Sequence, residues 1–365
     1  MFAERMAILG TGLIGGSIAL GARSRNRRLG VVGFDDDPDS AGTALSRGAL
    51  TSVAGSMAEA VAGADLVVLA MPVDQTAAAC AEIAEAVGED CVVTDVGSAK
   101  SEVVRVGESA FGSRFVGSHP MAGSERHGIE AADGRLFEDA WWVLTPTAQT
   151  SSEAYGRVVG LATSLGAKTV AVDLITHDTL VARLSHVPQI AASAIVDLAV
   201  TSGEREALLG LAGPGFRDVT RIAASNPDLW VSILRANRAA VLEGLGELDK
   251  RIERVADVIA AEDWTELRRW LGAARDARTG LFAKPDYGRE PIALTLLVPD
   301  RPGVLAEVTT AAGGLGTNIE DLRIVHSTEG GRGRLELVVA GSDAAEVLAA
   351  GLIGLGYVVE RSGFE

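Results

Sequence analysis

Short, nearly continuous apolar runs alternate with amphipathic stretches along the first 173 residues of the chain. Apolar runs bounded by Gly, Pro or Asp predict buried strands, and the stretches between them, such as 77–87 and 154–165, predict helices. This alternation predicts a mostly parallel, doubly wound α/β sheet in residues 1–173. The predicted strands are Met6–Leu9, Gly30–Phe34, Asp65–Ala70, Cys91–Thr94, a strand that starts at Val116, Trp142–Thr145 and Thr169–Val172.

From about residue 174 the alternation stops and helical periodicity replaces it. Residues 190–201 are apolar on nearly every side, and residues 227–275 carry apolar side chains three and four positions apart. This pattern predicts an all-helical second domain over residues 174–282. A helix that is apolar all round is buried, either inside its domain or between subunits. We therefore expect a homodimer.

The end of the chain changes pattern again. Residues 283–290 are rich in Pro, Gly and charge, which is typical of a linker. The elements predicted beyond it are strands at 292–298, 318–327, 333–340 and 357–361 and helices at 304–312 and 344–352. Their order, β-α-β-β-α-β, predicts a ferredoxin-like unit over residues 291–365.

Composition narrows the classes of function. A net charge of −16 argues against nucleic acid or an anionic membrane surface as a partner. The two cysteines, Cys80 and Cys91, lack the spacing of a metal or redox motif, so no metal site is predicted. No signal peptide is visible before the first strand, and no uncharged apolar run reaches the roughly 18 residues of a membrane span. These features predict a cytoplasmic protein that acts on a small molecule.

The loop after the first strand carries a nucleotide-binding pattern. A small-residue helix and a second strand follow it, and this context predicts a Rossmann-type domain. Gly10 would make the tight turn, Gly12 would admit a pyrophosphate and Gly15 would pack the helix against the sheet. Leu13 and Ile14 would present N–H groups of the helix N-terminus to the phosphates.

Acidic Asp35 ends the second strand, about 20 residues beyond the last glycine of the loop. Its carboxylate would accept a hydrogen bond from a ribose hydroxyl and repel the 2′-phosphate of NADP, so NAD is the predicted cofactor. Ligands of such sheets bind beyond the carboxyl ends of the strands. Met71, Pro72, Ser98 and His119 are therefore expected along the same rim as the glycine loop.

His119 is the strongest candidate for acid–base chemistry. It lies between small residues in the stretch 116–126, and Pro120 favours an extended or turn conformation at His119. Its reference pKa near 6.5 suits proton transfer, so the rate is expected to fall at acid pH as the imidazole protonates. From this stretch alone, a loop histidine with no functional role is an equally good interpretation.

Other polar residues also have structural alternatives. Arg221 lies among apolar neighbours and is expected to be partly buried, with either Asp218 or a substrate carboxylate as its anion. His186, beside a helix start, is more typical of a satisfied structural group. Ser98 follows a strand, where it either orients His119 or caps a helix.

Together these motifs resemble the prephenate/arogenate dehydrogenase family of tyrosine biosynthesis, over about residues 5–280. The blocks that carry the resemblance are Gly10-X-Gly12-X-X-Gly15, Asp35, Asp95-X-Gly97-Ser98-X-Lys100, His119-Pro-X-Ala-Gly-Ser-Glu125, His177-Asp178, Ser185-His186-X-Pro188 and Gly215-Phe-Arg-Asp-X-Thr-Arg221-Ile-Ala. The His-Pro block and the Phe-Arg-Asp block are far more specific than the glycine loop.

The resemblance implies a prephenate dehydrogenase, which performs the NAD-dependent oxidative decarboxylation of prephenate to 4-hydroxyphenylpyruvate. By the same resemblance, His119 hydrogen-bonds the ring hydroxyl of the substrate and takes its proton, while Ser98 assists His119 and contacts the nicotinamide. Arg221 would bind the ring carboxylate, and His177 and His186 would shape the pocket.

Gln189 departs from the family pattern, in which many members carry a second histidine after Ser-His-X-Pro. Glutamine offers both a donor and an acceptor at every pH, which leaves open an arogenate dehydrogenase that forms tyrosine directly. Another alternative is a hydroxy-acid dehydrogenase; such enzymes usually centre on a lysine of the helical domain, and Lys250 is predicted on a solvated face. A non-catalytic sensor of NAD and amino acids is the third, although intact His119 and Arg221 argue against it.

The tail resembles an ACT domain. The residues that carry this resemblance are Asp300, Arg301, Pro302 and Gly303 before a helix, and Asn318 and Ile319 at the next strand. The resemblance implies an amino-acid site between paired copies, with L-tyrosine as the expected effector. Phenylalanine as the effector, and a packing module without a ligand, are the alternatives.

Overall fold

The structure is a computed structural model of the chain. It describes residues 2–123, 126, 128–201, 211–281, 291–299, 304–317, 319, 321–326 and 332–363. Two compact units make up the chain, Met1–Arg254 and Val255–Glu365. The first contains the N-terminal sheet and most of the helical segment, and the second contains the end of that segment and the C-terminal sheet.

The N-terminal sheet has eight strands in the order β3-β2-β1-β4-β5-β6-β7-β8. They are β1 (Arg5–Leu9), β2 (Gly30–Phe34), β3 (Ser52–Val53), β4 (Leu66–Leu69), β5 (Val92–Asp95), β6 (Phe115–Pro120), β7 (Trp141–Thr145) and β8 (Lys168–Ala171). Strands β1 to β6 are parallel, so the prediction of a mostly parallel, doubly wound sheet is confirmed. The order reverses between β1 and β4, which opens a crevice at their carboxyl ends.

One pair of strands breaks the parallel pattern. Strand β7 runs antiparallel to β6, and β8 runs parallel to β7. Parallel neighbours need a long crossover, usually a helix. The described part of the connection from β6 to β7 contains only the 3₁₀ turn Ile129–Ala131, so the chain returns in the opposite direction.

Helices cover both faces of this sheet. They are α1 (Leu13–Arg25), α2 (Pro38–Ser46), α3 (Met57–Val61), α4 (Thr76–Ile83), α5 (Ser101–Phe111) and α6 (Ser152–Ser164). Alternate residues of β1 enter two separate cores, with Met6 and Ile8 on one face and Ala7 and Leu9 on the other. Burial on both faces explains why the strands appear in the sequence as continuous apolar runs.

The following segment is helical throughout its described residues, as predicted. Its helices are α7 (Leu174–Val181), α8 (Val187–Val200), α9 (Pro214–Thr220), α10 (Pro227–Ala236), α11 (Arg238–Ala260) and α12 (Trp264–Leu281). One turn of π-helix, Ala182–His186, joins α7 to α8. Such turns are rare and frequently mark functional sites.

Several apolar side chains of this segment are exposed in the single chain. On α8, Leu198 is 77% exposed, and Ile195 and Val200 are also exposed. No residue from 251 to 280, in α11 and α12, is buried. The described part of the domain therefore does not bury these α8 side chains, and they are available to contact another subunit. Within the described ranges, no helix is long and apolar enough to cross a membrane.

The tail forms a four-stranded antiparallel sheet with two helices, in the order β10-β11-β9-β12. Its elements are β9 (Pro291–Pro299), α13 (Val304–Gly314), β10 (Asp321–His326), β11 (Arg332–Ala340), α14 (Ser342–Gly354) and β12 (Val358–Gly363). The predicted β-α-β-β-α-β order is confirmed. The linker 283–290, the loop Asp300–Gly303 and Asn318 lie outside the described residues, whereas Ile319 packs against the core of the tail.

Candidate active site

Steric limits at two glycines shape the loop between β1 and α1. Gly10 has a φ of +94°, and a Cβ there would lie 2.5 Å from the carbonyl oxygen of Ala70. At Gly15 a Cβ would lie 2.0 Å from the carbonyl oxygen of Gly10. A side chain at either position would disrupt the turn. The tight turn predicted at Gly10 and the close packing predicted at Gly15 are therefore present.

Gly12 faces open space instead. A Cβ there would meet no described atom within 4 Å, and Gly12 precedes α1 without a side chain to cap the helix. The N–H groups of Leu13 and Ile14, in the first turn of α1, are consequently available to an anion. This local geometry fits the close approach of a pyrophosphate.

A cavity of about 590 Å³ opens beside this loop. It lies where β1, β2 and β4 end, which is the edge at which such sheets bind nucleotides. The predicted cofactor residues that line it are Gly10, Gly12, Asp35, Met71 and Pro72.

Asp35 is held in a fixed orientation at the end of β2. Its Oδ2 accepts hydrogen bonds from the main-chain N–H of Thr11 at 2.6 Å and from the Thr11 hydroxyl at 2.9 Å. Its Oδ1 accepts from the N–H of Asp37 at 3.1 Å. A carboxylate has roughly four lone-pair positions, so this arrangement leaves acceptor capacity on Oδ1 at the edge of the cavity.

His119 lies at the end of β6, in contact with a second histidine. Its Nδ1 is 3.0 Å from Nε2 of His177, which belongs to α7. The two rings meet edge to face with centroids 5.2 Å apart. On its other side, Nδ1 of His177 lies 2.9 Å from Oδ1 of Asp178. The sequence predicted His177 only as a wall of the pocket, whereas here it connects His119 to a carboxylate.

The direction of these hydrogen bonds follows from Asp178. An ionised carboxylate only accepts, so Nδ1 of His177 carries a proton, and when the ring is neutral its Nε2 is an acceptor. His119 must then donate from Nδ1 to His177. The remaining nitrogen of His119, Nε2, is left as an unprotonated acceptor. The network thus leaves a lone pair on His119 that can accept a proton.

The environment also keeps His119 neutral. Burial lowers its pKa well below the usual value of 6.5, and the nearby cation of Lys100 lowers the pKa further. His177 and His186 act in the same direction, while Asp178 opposes them. A neutral imidazole at physiological pH is the form that accepts a proton.

Asp178 is ionised because several donors hold it. It accepts from the N–H of Lys100 at 2.8 Å, from the N–H of Ser101 at 2.9 Å and from the Ser101 hydroxyl. Burial raises the pKa of this carboxyl, but the hydrogen bonds from His177, Ser101 and Lys100 outweigh burial and lower the pKa to about 2. These donors therefore keep Asp178 ionised below the usual pKa range of a carboxyl group.

His186 lies at the end of the π-helical turn and is fully buried. Its Nδ1 is 3.3 Å from Nδ2 of Asn237, which also donates to the carbonyl oxygen of Asp178 at 2.8 Å. Trp230 packs edge to face on the ring. Burial lowers the pKa of His186 to about 4. Among the described residues its Nε2 has no hydrogen-bond partner, so the predicted structural role accounts for only one of its nitrogens.

A second cavity, of about 430 Å³, is lined by both Gln189 and Arg221. Gln189 is buried, and its Oε1 has no hydrogen-bond partner among the described residues. The expectation that Arg221 is partly buried is wrong for the single chain. Arg221 begins the 3₁₀ turn Arg221–Ala224 and is exposed, because the apolar residues beside it in sequence do not surround its side chain.

Ser98 lies between β5 and α5 and is partly buried. The helix-cap alternative is wrong, because the residue that precedes α5 is Lys100. The hydrogen bonds of the described residues include none from Ser98 to His119, so the structure does not connect the two. Lys250 is exposed, as predicted.

Sequence reasoning missed the supports of the histidines. Asp178, Lys100 and Asn237 are all buried and all contact this network. Asp178 and Lys100 stood inside recognised motifs, and a lysine beside a buried strand was a usable signal. Asn237 and Trp230 had no signal, because their neighbours are distant in sequence.

The glycine loop follows β1 and His119 lies at the end of β6, so both are at the carboxyl edge of the parallel strands, where nucleotide-dependent oxidoreductases of this fold bind their cofactor. Residues 18–171 match the family profile for the nucleotide-binding domain of prephenate dehydrogenase. Residues 174–273 match the profile for its dimerization domain. The chain therefore belongs to the prephenate dehydrogenase family, which confirms the resemblance seen in the sequence.

Individual relatives agree with the profiles. The prephenate dehydrogenase of Bacillus subtilis is 34% identical over 93% of both chains. The crystal structure of Aquifex aeolicus prephenate dehydrogenase with hydroxyphenyl propionate and NAD⁺ has a TM-score of 0.73 and 29% identity, covering 76% of this chain and 98% of its own. The Synechocystis arogenate dehydrogenase structure has a TM-score of 0.67 and 26% identity, covering 76% of this chain and 99% of its own.

Proposed function

We propose that this protein is a prephenate dehydrogenase that converts prephenate to 4-hydroxyphenylpyruvate with NAD⁺ in tyrosine biosynthesis. The observation that carries the proposal is the chain of contacts from His119 through His177 to Asp178, at the sheet edge where the glycine loop lies. Membership of the family and the relative that is 34% identical over 93% of the chain support it.

NAD⁺ is the proposed cofactor because the residues present fit it. Open space at Gly12 and the free N–H groups of Leu13 and Ile14 would hold the pyrophosphate. Asp35 would hold the ribose. When bound, NAD⁺ supplies a hydride acceptor. Met71 and Pro72 line the same cavity and would bound its wall.

His119 is the proposed catalytic base. Its unprotonated Nε2 would accept the proton of the ring hydroxyl as the hydroxyl carbon gives up its hydride and becomes a carbonyl. The ring carboxylate would then leave as carbon dioxide, its bonding electrons would make the ring aromatic, and the proton held by His119 would be available to the phenolate oxygen. His177 and Asp178 would orient the imidazole and stabilise the imidazolium, as a carboxylate does in histidine-based triads. A positioned base of this kind contributes about 10²- to 10⁴-fold to the rate. Ser98 stays a predicted helper beside the nicotinamide.

Arg221 is the proposed partner of the ring carboxylate, with Gln189 in the same cavity. A guanidinium pairs with a carboxylate through two parallel hydrogen bonds, which would fix the ring relative to His119. The unpartnered Nε2 of His186 indicates that this buried nitrogen contacts a ligand or a water molecule.

Arogenate is a second proposed substrate, and Gln189 is the observation that favours it. Its Oε1 has no hydrogen-bond partner among the described residues, so the amide would be able to present either its N–H groups to a keto oxygen or its oxygen to an ammonium. The prephenate side chain carries the keto group, and the arogenate side chain carries the ammonium group in its place. The test for both substrates is NADH formation from NAD⁺ with each of them. If neither prephenate nor arogenate is turned over, both proposals are refuted.

We also propose a homodimer that forms through the helical segment. Exposed apolar residues on α8, such as Leu198, and the match to the dimerization domain support it. Light scattering of the purified protein should give twice the mass of the 37.7 kDa chain. A location in the cytoplasm stays a prediction from sequence.

L-Tyrosine is the proposed effector of the tail. Residues 291–365 are about a fifth of the chain, so a match to the Bacillus subtilis relative over 93% must extend into them. Asp300, Arg301, Pro302, Gly303 and Asn318 are the proposed ligand contacts. Ile319, which packs against the core of the tail, is expected only to support them.

Tyrosine bound at the tail would lower the rate in a way that saturating prephenate does not relieve. The variant Asn318→Ala should then lose sensitivity to tyrosine and keep the basal rate. Inhibition that prephenate relieves completely would place tyrosine in the active site instead. The same titration with phenylalanine distinguishes the two amino acids.

A further inference from the structure

Lys100 is a buried lysine that the proposed reaction does not use. Burial lowers its pKa, and the carboxylates of Asp95 and Asp178 oppose that shift. It lies between β5 and α5, and its side chain is 0% exposed. Its ammonium pairs with the carboxylate of Asp95 at the end of β5. Replacing a buried ion pair with apolar residues is often neutral or stabilising, so stability alone is a weak reason for this pair.

The pair holds the residue that precedes His119. Nζ of Lys100 donates to the carbonyl oxygen of Ser118 at 2.8 Å, and Oδ1 of Asp95 accepts from the N–H of Ser118 at 3.2 Å. The Ser118 hydroxyl donates to the carbonyl oxygen of Asp95 at 2.6 Å. Every polar group of Ser118 is thus tied to this ion pair or to the end of β5, and the end of β6 is fixed with it.

The packing leaves room for this arrangement. A Cβ at Gly117 would lie 2.4 Å from the Thr145 hydroxyl oxygen and from Val104, and 3.7 Å from Cδ of Lys100. Because Gly117 has no side chain, β6 packs closely over the lysine stem. The same lysine also supports the second histidine, since its main-chain N–H donates to Asp178 at 2.8 Å.

We propose that Lys100 is a positioning residue for the dehydrogenase reaction: its ammonium, anchored on Asp95, holds the Ser118 carbonyl and thereby fixes the position of the His119 imidazole. The proposal rests on the proposed function of His119 as the base. A displacement of about 1 Å at a reacting group can lower the rate on the order of 10²-fold. Fixing the backbone of Ser118 would therefore maintain the rate by keeping the His119 imidazole in place.

The charge of Lys100 has a second effect on His119. The groups that act on the His119 pKa are Lys100, His177 and His186, which lower it with burial, and Asp178, which raises it. Removing the Lys100 cation should therefore raise the pKa of His119. The activity that depends on neutral His119 would then be lost at a higher pH than in the wild type.

The test is Lys100→Met, which keeps the stem and the main-chain N–H to Asp178 but removes the ammonium. We expect kcat to fall at least about tenfold, the KM for NAD⁺ to stay within about twofold, and the acid limb of the pH–rate profile to move to higher pH. The double variant Lys100→Met with Asp95→Asn leaves no uncompensated buried charge and should fold where the single variant does not. It should remain as slow, because the Ser118 carbonyl has still lost its donor.

Wild-type kcat and an unmoved acid limb in the double variant would overturn the proposal, since Lys100 would then serve only to neutralise Asp95. Leu29→Ala is the control for destabilisation, because Leu29 is buried just before β2, at the opposite end of that strand from the cavity. It should lower the melting temperature and leave kcat and the pH profile unchanged. If the wild type does not oxidise prephenate, the proposed function is wrong. If the wild type does oxidise prephenate and the Lys100 variants have the same kcat and pH profile, the proposed role of Lys100 is wrong.

Discussion

Nδ1 of His119 lies 3.0 Å from Nε2 of His177, although the two residues belong to a strand and a helix that are 58 positions apart in sequence. This contact determines which nitrogen of His119 is free. Because the proton on His177 is fixed by Asp178, the lone pair of His119 points away from the network. The position of the proton on His119 is thus set through His177 by the carboxylate of Asp178.

His119→Asn should abolish most of the activity. Asparagine can hydrogen-bond but cannot accept a proton, so we expect kcat to fall at least about 10²-fold while NAD⁺ and product binding, measured by calorimetry, stay close to wild type. Near-normal turnover would remove His119 from the mechanism.

The pH profile of the wild type checks the same assignment. The sequence alone suggests an acid limb near the ordinary histidine pKa of 6.5, but burial and Lys100 lower the His119 pKa well below that value. The active form is neutral, so activity should be constant above pH 6.5 and be lost only as the pH falls through the lowered pKa. An acid limb at or above 6.5 would contradict this environment.

Asp178→Asn should slow the reaction without removing the base. An amide can donate to Nδ1 of His177, which would reverse the proton order along the relay and put the Nε2 proton of His119 toward the substrate. We expect kcat to fall about tenfold or more, with the KM for NAD⁺ unchanged. Asp173→Ala is the matched control on the same helix, because Asp173 only caps α7 through the N–H of Thr176. It should lower the melting temperature slightly, because a helix cap is lost, and leave kcat intact.

The stability of the folded protein should also depend on the ionisation of Asp178. Its pKa is about 2 in the folded protein against an ordinary value of 3.8, so its stabilising contribution is complete above that ordinary value and is lost as the pH falls toward 2. The melting temperatures of wild type and Asp178→Asn should therefore converge at low pH. A difference that stays constant down to the lowest pH at which both fold would mean that Asp178 is not held as an anion.

Local patterns predicted most of the fold. The apolar runs and the glycine loop lie within short segments, and strands such as Gly30–Phe34 have the predicted bounds. The reversal of β7 was not predicted, because strand direction depends on the connection rather than on the strand. The bounds of α8 differ because the preceding turn is π-helical, which no simple periodicity indicates.

Residues of the candidate site could be proposed from the sequence only where one residue type determines the chemistry. His119 and the glycines were identified because imidazoles and positive-φ turns have few substitutes. The support of His119 depends on pairings across the chain, such as Lys100 with Asp178 and Asp178 with Asn237. The exposure of Arg221 was mispredicted because apolar neighbours in sequence need not be neighbours in space.

Arg221→Ala should mainly weaken substrate binding. Loss of a charge-assisted hydrogen bond to a carboxylate costs on the order of 1.5–3 kcal/mol, so the KM for prephenate should rise at least about tenfold. Arg217 is a suitable control, because it is exposed on α9, four residues earlier, and does not line the cavity. Arg217→Ala should have wild-type KM. An unchanged KM in Arg221→Ala would make Arg221 a structural residue.

Gln189→Glu should shift the preference between the two proposed substrates. A carboxylate attracts the ammonium of arogenate and offers no donor to the keto oxygen of prephenate. The ratio of kcat/KM for arogenate to that for prephenate should rise about tenfold, measured at alkaline pH because burial raises the pKa of a glutamate. Gln189→Leu has neither a hydrogen-bond donor nor an acceptor. It should weaken the binding of both substrates and bring the ratio of their kcat/KM values nearer to one than in the wild type. An unchanged ratio in Gln189→Glu would mean that this residue does not contact the side-chain group.

Asp35 should make the enzyme selective for NAD⁺. Its carboxylate, held by Thr11, would meet the ribose hydroxyl of NAD⁺ but repel the 2′-phosphate of NADP⁺. Asp35→Asn keeps an oxygen for Thr11 and removes the charge, so kcat/KM for NADP⁺ should rise and the value for NAD⁺ should fall at least severalfold. Asp36→Asn is the control, because Asp36 is exposed beside it and also lines the cavity. Asp35 does not determine the selectivity between NAD⁺ and NADP⁺ if Asp36→Asn changes that selectivity more than Asp35→Asn does. The same conclusion holds if the wild type uses both cofactors equally well.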